Sequence, residues 1–173
     1  RLRRVQSRRV GTVYLIRHGQ ASYGEADYDR LSTRGQEQAR ALGRWMARAR
    51  LDAIYSGPLT RQVQTAAFAV EASDALGIAL PAPTEIPELA EYPAFEMLQH
   101  LVPRLVAEDP KFAALTSAPT PRLLDEAFHT ILDKWANDHW FVEGVERVGD
   151  FVARVRRAMT RVVESASSGA RIA

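Results

Sequence analysis

Residues 13–20 read Val-Tyr-Leu-Ile-Arg-His-Gly-Gln, and this stretch decides the fold class. A short apolar run rich in β-formers predicts a buried strand. The run ends abruptly at Arg17, His18 and Gly19, which places a cation, an imidazole and a flexible residue where the chain leaves the sheet. Open α/β sheets bind ligands at the ends of their strands. We therefore expect the functional site at this strand end.

The residue types at the strand end suit a phosphate. The imidazole of His18 can attack an electrophile, and the guanidinium of Arg17 can hold an anion through a planar fork of donors. An Arg-His-Gly triplet also occurs by chance, and taken alone it favours an ordinary core or surface histidine at His18 and a solvated charge at Arg17. The surrounding sequence has to distinguish these interpretations.

Three further segments follow in order: Leu-Ser-Thr-Arg-Gly-Gln-Glu-Gln-Ala at 31–39, Ile-Tyr-Ser-Gly-Pro-Leu-Thr-Arg-Gln-Val-Gln-Thr-Ala at 54–66, and Leu-Ala-Glu at 89–91. Together with residues 13–20 they resemble the signature of the histidine phosphatase superfamily, which includes the cofactor-dependent phosphoglycerate mutases. The resemblance is dense in the first half and thin after about residue 92. It implies an α/β fold, a three-layer α/β/α sandwich with a mostly parallel central sheet and a helical cap insertion.

Length and composition favour one domain over residues 1–173. The chain has 173 residues, of which 46% are hydrophobic and 25% charged, as in ordinary globular proteins. It has no cysteine, which excludes disulfides, thiolate metal ligands and a cysteine nucleophile. No apolar run approaches the roughly 18 residues of a membrane span. We expect a soluble, cytoplasmic protein.

The net charge of +2 comes from a basic arm at residues 1–11. Five arginines lie in the first nine positions and no acidic residue lies in the first eleven, so that the remainder is net negative. Such an arm can bind nucleic acid or an anionic surface, but it has no interleaved aromatic residues for stacking on bases. We interpret it as a flexible, solvated segment and expect no nucleic-acid or membrane partner. The oligomeric state stays open.

The first half of the chain predicts an alternating α/β order. A helix follows the loop after residue 20, with Thr33 and Gln36 as a capping box and with Trp45 and Met46 in the core. Strands are predicted at 51–55 and within 77–86, the latter at a sheet edge because of its prolines.

Pro58 predicts the start of the second helix. Arg61 then lies in its first turn, beside free backbone donors and the positive end of the helix dipole, where anions bind. The predicted buried stripe of this helix consists of Val63, Ala66, Ala67 and Val70.

The proline-rich segment at 87–121 departs from this order, and we interpret it as a cap insertion folded over the site. A helix over 123–140 should turn five residues inward: Leu124, Phe128, Ile131, Leu132 and Trp135. A further helix over 147–166 should expose Arg154, Arg157 and Arg161. A last strand is predicted to begin at Arg171.

Phosphoryl transfer needs a nucleophile, charge compensation and a proton for the leaving oxygen. We assign the first to His18 and the second to Arg17 and Arg61. Gln20 is either an amide donor to the substrate or a loop amide facing water. The resemblance implies Glu91 as the acid, with Glu88 as its rival, because Leu-Ala-Glu at 89–91 has the family's form.

The chain departs from the family pattern in two places. Gly24 lies where the family often has a phosphate-binding asparagine. No residue matches the second histidine that the family carries at the end of a late strand. Because the corresponding strand is predicted to begin only at Arg171, we expect that the sequence is cut short and that this histidine lies beyond residue 173.

The resulting functional prediction is a phosphatase that hydrolyses phosphomonoesters of small molecules through a phosphohistidine intermediate on His18. A phosphoglycerate mutase is the first alternative, and a non-catalytic phosphate-binding module the second. No metal or nucleotide cofactor is implied, because the chain has neither a Gly-x-Gly-x-x-Gly motif nor a Gly-x-x-x-x-Gly-Lys loop.

Overall fold

The computed structural model describes residues 11–22, Glu25 and residues 27–173. The predicted arm, apart from its last residue, and the substitution at Gly24 lie outside the described residues. The elements, in chain order, are β1 (Thr12–Val13), α1 (Thr33–Ala49), β2 (Ile54–Ser56), α2 (Thr60–Asp74), β3 (Pro83–Glu85), α3 (Ala94–Glu108), α4 (Pro121–Ala136), α5 (Val148–Ser165) and β4 (Arg171–Ile172). Two 3₁₀ helices cover Pro87–Leu89 and Pro110–Thr116.

The chain forms two compact units. The first contains the residues up to Ala90 together with Arg157–Ala173, and the second is Glu91–Arg156. The predicted insertion at 87–121 overlaps the second unit, and both its role as a cap and the single-domain organisation stay predictions.

All strands of the first unit run parallel. β1 pairs with β4 in the register Thr12 to Arg171, and β2 pairs with β3 in the register Ile54 to Pro83. These are two two-stranded sheets, and an isolated parallel bridge between Ala53, the residue before β2, and Ile172 of β4 places them side by side in the order β1-β4, β2-β3. The α/β class and the parallel sheet were predicted correctly, and β3 lies at the expected edge.

The prediction of a buried strand over residues 13–16 was wrong. β1 covers only Thr12–Val13, and Leu15 is 82% exposed. The amide of Tyr14 still donates to the carbonyl of Ile172 at 2.7 Å, but within the described residues no strand pairs with Leu15 or Ile16. Apolar, β-branched composition favours a strand, but burial needs a neighbouring segment that composition cannot supply.

The start of α1 differs from the predicted capping box. Ser32 is the N-cap, and its hydroxyl accepts a hydrogen bond from the amide of Gly35 at 3.1 Å. Thr33, the predicted cap, is already the first helical residue, one position too far along to cap.

Of the two predicted core residues of α1, only one is in the core. Met46 is 2% exposed, whereas Trp45 is 44% exposed and packs edge-on against the Tyr14 ring at 5.0 Å. α1 packs so closely on α2 that a Cβ at Gly43 would lie 2.1 Å from the carbonyl oxygen of Ala69. Glycine at position 43 permits this approach.

The predicted position of Arg61 is confirmed, but the predicted buried face of α2 is wrong at Val63 and Ala67, whereas Val70 is half-buried and packs against the core around Met46. Arg61 lies in the first turn of the helix. The buried residues are Arg61, Thr65, Ala69 and Ser73, four residues apart, while Val63 and Ala67 are exposed. Hydropathy selected the wrong face because the two buried hydroxyls are satisfied internally, by Arg61 and Ile78 carbonyls.

The second unit is helical with an apolar core. The core residues are Met97, Leu101, Leu105, Phe112, Ala127, Ile131, Trp135 and Trp140. Ile131 and Trp135 lie inward as predicted, but Leu124 is 43% exposed, because the neighbouring Leu123 occupies the side of this turn that packs against the core.

Arg154 was predicted to lie on a solvated helix face, and this is wrong. Only 15% of its side chain is exposed, and its Nε and Nη2 donate to the two carboxylate oxygens of Glu146 at 2.6 and 2.8 Å. The bidentate pair supplies the charge compensation that burial of a guanidinium needs.

Within the described part of the chain, no helix is both long and apolar enough to cross a membrane.

Candidate functional site

His18 lies in the loop that follows β1, and one nitrogen of its ring has a defined role. Nδ1 lies 2.6 Å from the carbonyl oxygen of Gly19. A carbonyl oxygen can only accept, so Nδ1 carries the proton in this contact, and the neutral imidazole has its lone pair on Nε2. This contact favours, in the half-buried His18, the tautomer that a nucleophilic Nε2 requires.

The residues after His18 pack tightly against the first turn of α1. Gly19 is buried, and a Cβ there would lie 2.4 Å from the carbonyl oxygen of Gly35. A Cβ at Gly35 would in turn lie 2.1 Å from the carbonyl oxygen of Gln20. That carbonyl accepts the amide of Ser32 at 2.9 Å. The two glycines thus allow the loop and the helix start to meet backbone to backbone.

The side chain of Gln20 lies beside the α1 cap. Gln20 is exposed, and its Oε1 accepts a hydrogen bond from the Ser32 hydroxyl at 3.4 Å. Its backbone amide donates to Oε1 of Gln38 at 2.9 Å. A contact between the Gln20 amide group and substrate stays a prediction.

Thr65 connects the histidine loop with α2. Its hydroxyl accepts a hydrogen bond from the amide of Gly19 at 3.0 Å and donates to the carbonyl of Arg61 at 2.7 Å. Thr65 is 6% exposed, so both bonds are shielded from water. One buried hydroxyl therefore sets the position of the residue after His18 relative to the first turn of α2. Thr65 was not among the predicted site residues, although a threonine four residues after Arg61 can bond back to its carbonyl.

The guanidinium of Arg61 is nearly buried and paired with Asp29. Only 10% of its side chain is exposed, and Nη1 donates to Oδ1 of Asp29. Oδ2 of Asp29 accepts the amide of Thr60, the first residue of α2, at 2.8 Å. The ring of Tyr28 lies 5.6 Å from Cζ of Arg61, within cation–π range. Asp29 was also missed, because nothing in the sequence pairs it with a residue 32 positions away.

The two predicted phosphate-binding arginines have different surroundings. Arg17 is exposed, and in the part of the chain that the structure describes it forms no ion pair. Arg61 belongs to the same unit as His18, and Thr65 links their backbones. The convergence of both guanidinium groups on the imidazole of His18 stays a prediction.

The two candidate acids are held by different arginines. The carboxylate of Glu88 accepts a hydrogen bond from Nη2 of Arg161 at 2.6 Å. Glu91 is the first residue of the second unit, and its backbone carbonyl accepts Nη2 of Arg154 at 3.1 Å. The role of Glu91 as the proton donor stays a prediction.

Among residues 11–22, 25 and 27–173, no group of three or more histidine or carboxylate side chains could hold a metal ion.

A family model that matches more than half of the chain shows the family to which the chain belongs. The model of the histidine phosphatase superfamily (branch 1) matches residues 13–120, which include His18, Arg61 and Glu91. The chain belongs to this superfamily. Members of the superfamily are generally phosphoryl-transfer enzymes. No protein of curated function matches the chain significantly.

Solved structures of phosphoglycerate mutase-like proteins share the fold. Phosphoglycerate mutase from Bacillus anthracis is 19% identical with a TM-score of 0.61, and the match covers 95% of this chain and 73% of that chain. A mycobacterial glucosyl-3-phosphoglycerate phosphatase in complex with inorganic phosphate is 20% identical with a TM-score of 0.57, covering 90% and 68%. A protein named mycobacterial hydrolase 1 is 21% identical with a TM-score of 0.56, covering 90% and 70%. At these identities the likeness shows the fold, and it does not assign one activity.

Proposed function

We propose that this histidine phosphatase superfamily member is a phosphatase that hydrolyses phosphomonoesters of small molecules through a phosphohistidine on His18. The observation that carries the proposal is the chain of contacts from His18 to Arg61. The buried Thr65 hydroxyl ties the residue after the imidazole to the first turn of α2, where Arg61 is nearly buried. A nucleophile and an anion-binding group on one hydrogen-bonded frame are what phosphoryl transfer requires.

The first chemical step uses the tautomer of His18. With the proton of Nδ1 held by the Gly19 carbonyl, Nε2 carries the lone pair that attacks phosphorus. The P–N bond forms as the bond from phosphorus to the leaving oxygen breaks. The leaving oxygen takes a proton, and Glu91 is the donor that we assign by resemblance to the family.

Charge compensation falls to the two arginines. The phosphoryl oxygens are anionic throughout the transfer, and a guanidinium can meet two of them with parallel, charge-assisted hydrogen bonds. Arg61 has the stronger case, because it lies at a helix start, where the dipole and backbone amides also favour an anion. One such contact is worth roughly 3 kcal/mol in the transition state.

The second step regenerates the enzyme. A water molecule attacks the phosphoryl group from the side opposite Nε2, and the P–N bond breaks with its electron pair returning to the imidazole. The Glu91 carboxylate, left deprotonated by the first step, takes a proton from that water. Inorganic phosphate then leaves. A mutase shares the first step but returns the phosphoryl group to the bound product instead of to water.

A panel of small phosphomonoesters, assayed for phosphate release, tests the proposal. Wild type should turn over at least one of them, and His18→Ala should abolish release. His129→Ala is the matched control, because His129 is an exposed histidine on α4 whose ring contacts Asp125 and Phe128 of the same helix. Its turnover should equal that of wild type. Turnover that persists in His18→Ala would overturn the assignment of the nucleophile.

Trapping separates the enzyme from a binding module. Labelled substrate quenched into alkaline denaturant should leave label on wild type that is stable to base and lost in acid, and none on His18→Ala. Phosphate binding without label or release would favour the non-catalytic module. Interconversion of 3-phosphoglycerate and 2-phosphoglycerate without free phosphate would favour the mutase.

A further inference from the structure

Asp29 connects the polar loop after β1 with two donors at the start of α2. Its Oδ1 accepts Nη1–H of Arg61, and its Oδ2 accepts the amide of Thr60 at 2.8 Å. The backbone amide is fixed by the helix, so the carboxylate has a defined orientation. The guanidinium that pairs with it is then oriented as well.

This arrangement restricts a side chain that otherwise has large rotational freedom. A free arginine loses that freedom when it binds an anion, which weakens binding, whereas an arginine already held in one orientation loses little. The carboxylate on Nη1 and the ring of Tyr28 near Cζ both contact Arg61 from consecutive residues of one loop. The loop therefore determines where the guanidinium points.

Asp29 and a phosphate can be bound at the same time. The contact with Asp29 runs through Nη1, and a guanidinium carries five N–H donors in a planar fork. A phosphate oxygen can accept from another donor of the same plane. In such a triad the carboxylate lies on one side of the guanidinium and the phosphate on another, so that Asp29 orients Arg61 instead of competing with the substrate.

We propose that Asp29 is a positioning residue, which orients the Arg61 guanidinium for the phosphoryl group of substrate and product. The inference rests on the proposed phosphatase function. It adds a residue that touches neither substrate nor nucleophile and acts through Arg61. Because an oriented Arg61 binds ground state and transition state alike, its loss should appear in the affinity for phosphate more than in kcat.

The informative variant is Asp29→Asn. The amide oxygen of asparagine can still accept the Thr60 amide, so the helix start keeps its partner. The negative charge that pairs with the Arg61 guanidinium is lost. We expect KM and the inhibition constant of inorganic phosphate to rise together by about tenfold, with kcat within about threefold of wild type. A merely structural role would instead lower the melting temperature and the active fraction, with KM unchanged.

The matched control is Glu25→Gln. Glu25 lies in the same loop and pairs with Arg30 at 2.7 Å, but both side chains are about half exposed. The same loss of one carboxylate charge should there leave KM and phosphate inhibition within about twofold of wild type. If Asp29→Asn and Glu25→Gln behave alike, general loop electrostatics explain the effect and the proposal is overturned.

The outcomes separate this inference from the proposed function. A wild type that turns over phosphomonoesters, with phosphate inhibition unchanged or tighter in Asp29→Asn, overturns the role of Asp29 alone. A wild type that neither binds inorganic phosphate nor releases it from any substrate overturns both. If Asp29→Asn does not fold, Asp29→Glu keeps the charge but shifts it by one methylene. A KM of Asp29→Glu that lies above wild type by less than the tenfold expected for Asp29→Asn then supports the proposal, and a KM equal to that of wild type overturns it.

Discussion

Two helices of the molecule bury residues at the same spacing with opposite chemistry. α2 buries Arg61, Thr65, Ala69 and Ser73, and α4 buries Ala127, Ile131 and Trp135. In both helices every fourth residue faces inward. The face of α4 is apolar and belongs to the core of the second unit, whereas three of the four residues on the α2 face are polar or charged.

The difference shows what each helix contributes. Burying a polar group costs free energy unless it is hydrogen-bonded, and Nη1 of Arg61 and the hydroxyls of Thr65 and Ser73 donate to Asp29, the Arg61 carbonyl and the Ile78 carbonyl, respectively. Asp29 ties α2 to the loop between β1 and α1, the Thr65 hydroxyl accepts the amide of Gly19 in the same loop, and Ile78 lies in the segment after α2. α4 contributes apolar burial and hence stability, and α2 positions chemistry.

Trp135→Ala tests the stabilising role of α4 and has the largest expected effect. Trp135 is 5% exposed, and its Nε1 donates to the Glu146 carbonyl at 3.0 Å. Losing this packing should reduce the free energy of unfolding by about 3–5 kcal/mol, measured by urea denaturation. Leu124→Ala, on the same helix but 43% exposed, is the control and should cost about 0.5 kcal/mol or less. Equal losses would contradict the contrast between the two positions.

Hydrophobic periodicity predicted α4 well, because there the buried residues are the apolar ones. The same approach placed helices over 123–140 and 147–166, and the structure has them at Pro121–Ala136 and Val148–Ser165. Local signals worked too: Pro58 correctly predicted a helix start that brings Arg61 into the first turn.

The polar partners of the site could not be predicted in this way. Asp29 meets Arg61 across 32 residues and Thr65 meets Gly19 across 46, and no local pattern encodes such pairs. Arg154 was misassigned for the same reason, since its partner Glu146 lies outside its own helix. Leu15 is likewise exposed in spite of its hydropathy, because no strand among the described residues pairs with it.

Arg61→Met has the second largest expected effect and tests the functional half of the comparison. Methionine keeps an unbranched apolar stem but removes the guanidinium. We expect kcat/KM for phosphomonoesters to fall by about 10²–10³, or roughly 3–4 kcal/mol in the transition state. Arg48→Met, an exposed arginine of α1, should leave kcat/KM unchanged. A loss below about fivefold in Arg61→Met would contradict a phosphate-binding role.

Thr65→Val tests whether the hydrogen bonds of a buried hydroxyl on α2 contribute to stability and activity beyond the packing of the side chain. Valine has the same outline, but the Gly19 amide loses its acceptor and the Arg61 carbonyl loses its donor. An unsatisfied buried amide costs about 1–3 kcal/mol, so that thermal and urea stability should fall by this amount. kcat should fall as well, because Gly19, the residue after His18, is no longer hydrogen-bonded to α2. Thr65→Ser keeps the hydroxyl and should recover most of kcat. A Ser variant as impaired as the Val variant would assign the loss to packing.

Val63→Thr has the smallest expected effect and tests the face of α2 that hydropathy wrongly chose. Val63 is 38% exposed and lines an open groove of about 580 Å³ with Ala67 and Val70. A hydroxyl placed there stays in contact with water, and the free energy of unfolding should change by at most about 0.5 kcal/mol. The matched change on the other face is Ala69→Val. Ala69 is 0% exposed and lies against Gly43, so the added methyl groups have no space and should cost about 1–3 kcal/mol. If Val63→Thr lowered the free energy of unfolding more than Ala69→Val, the apolar stripe would be the packed face of α2. Arg61 and Thr65 would then not be shielded from water, and their proposed roles would be contradicted.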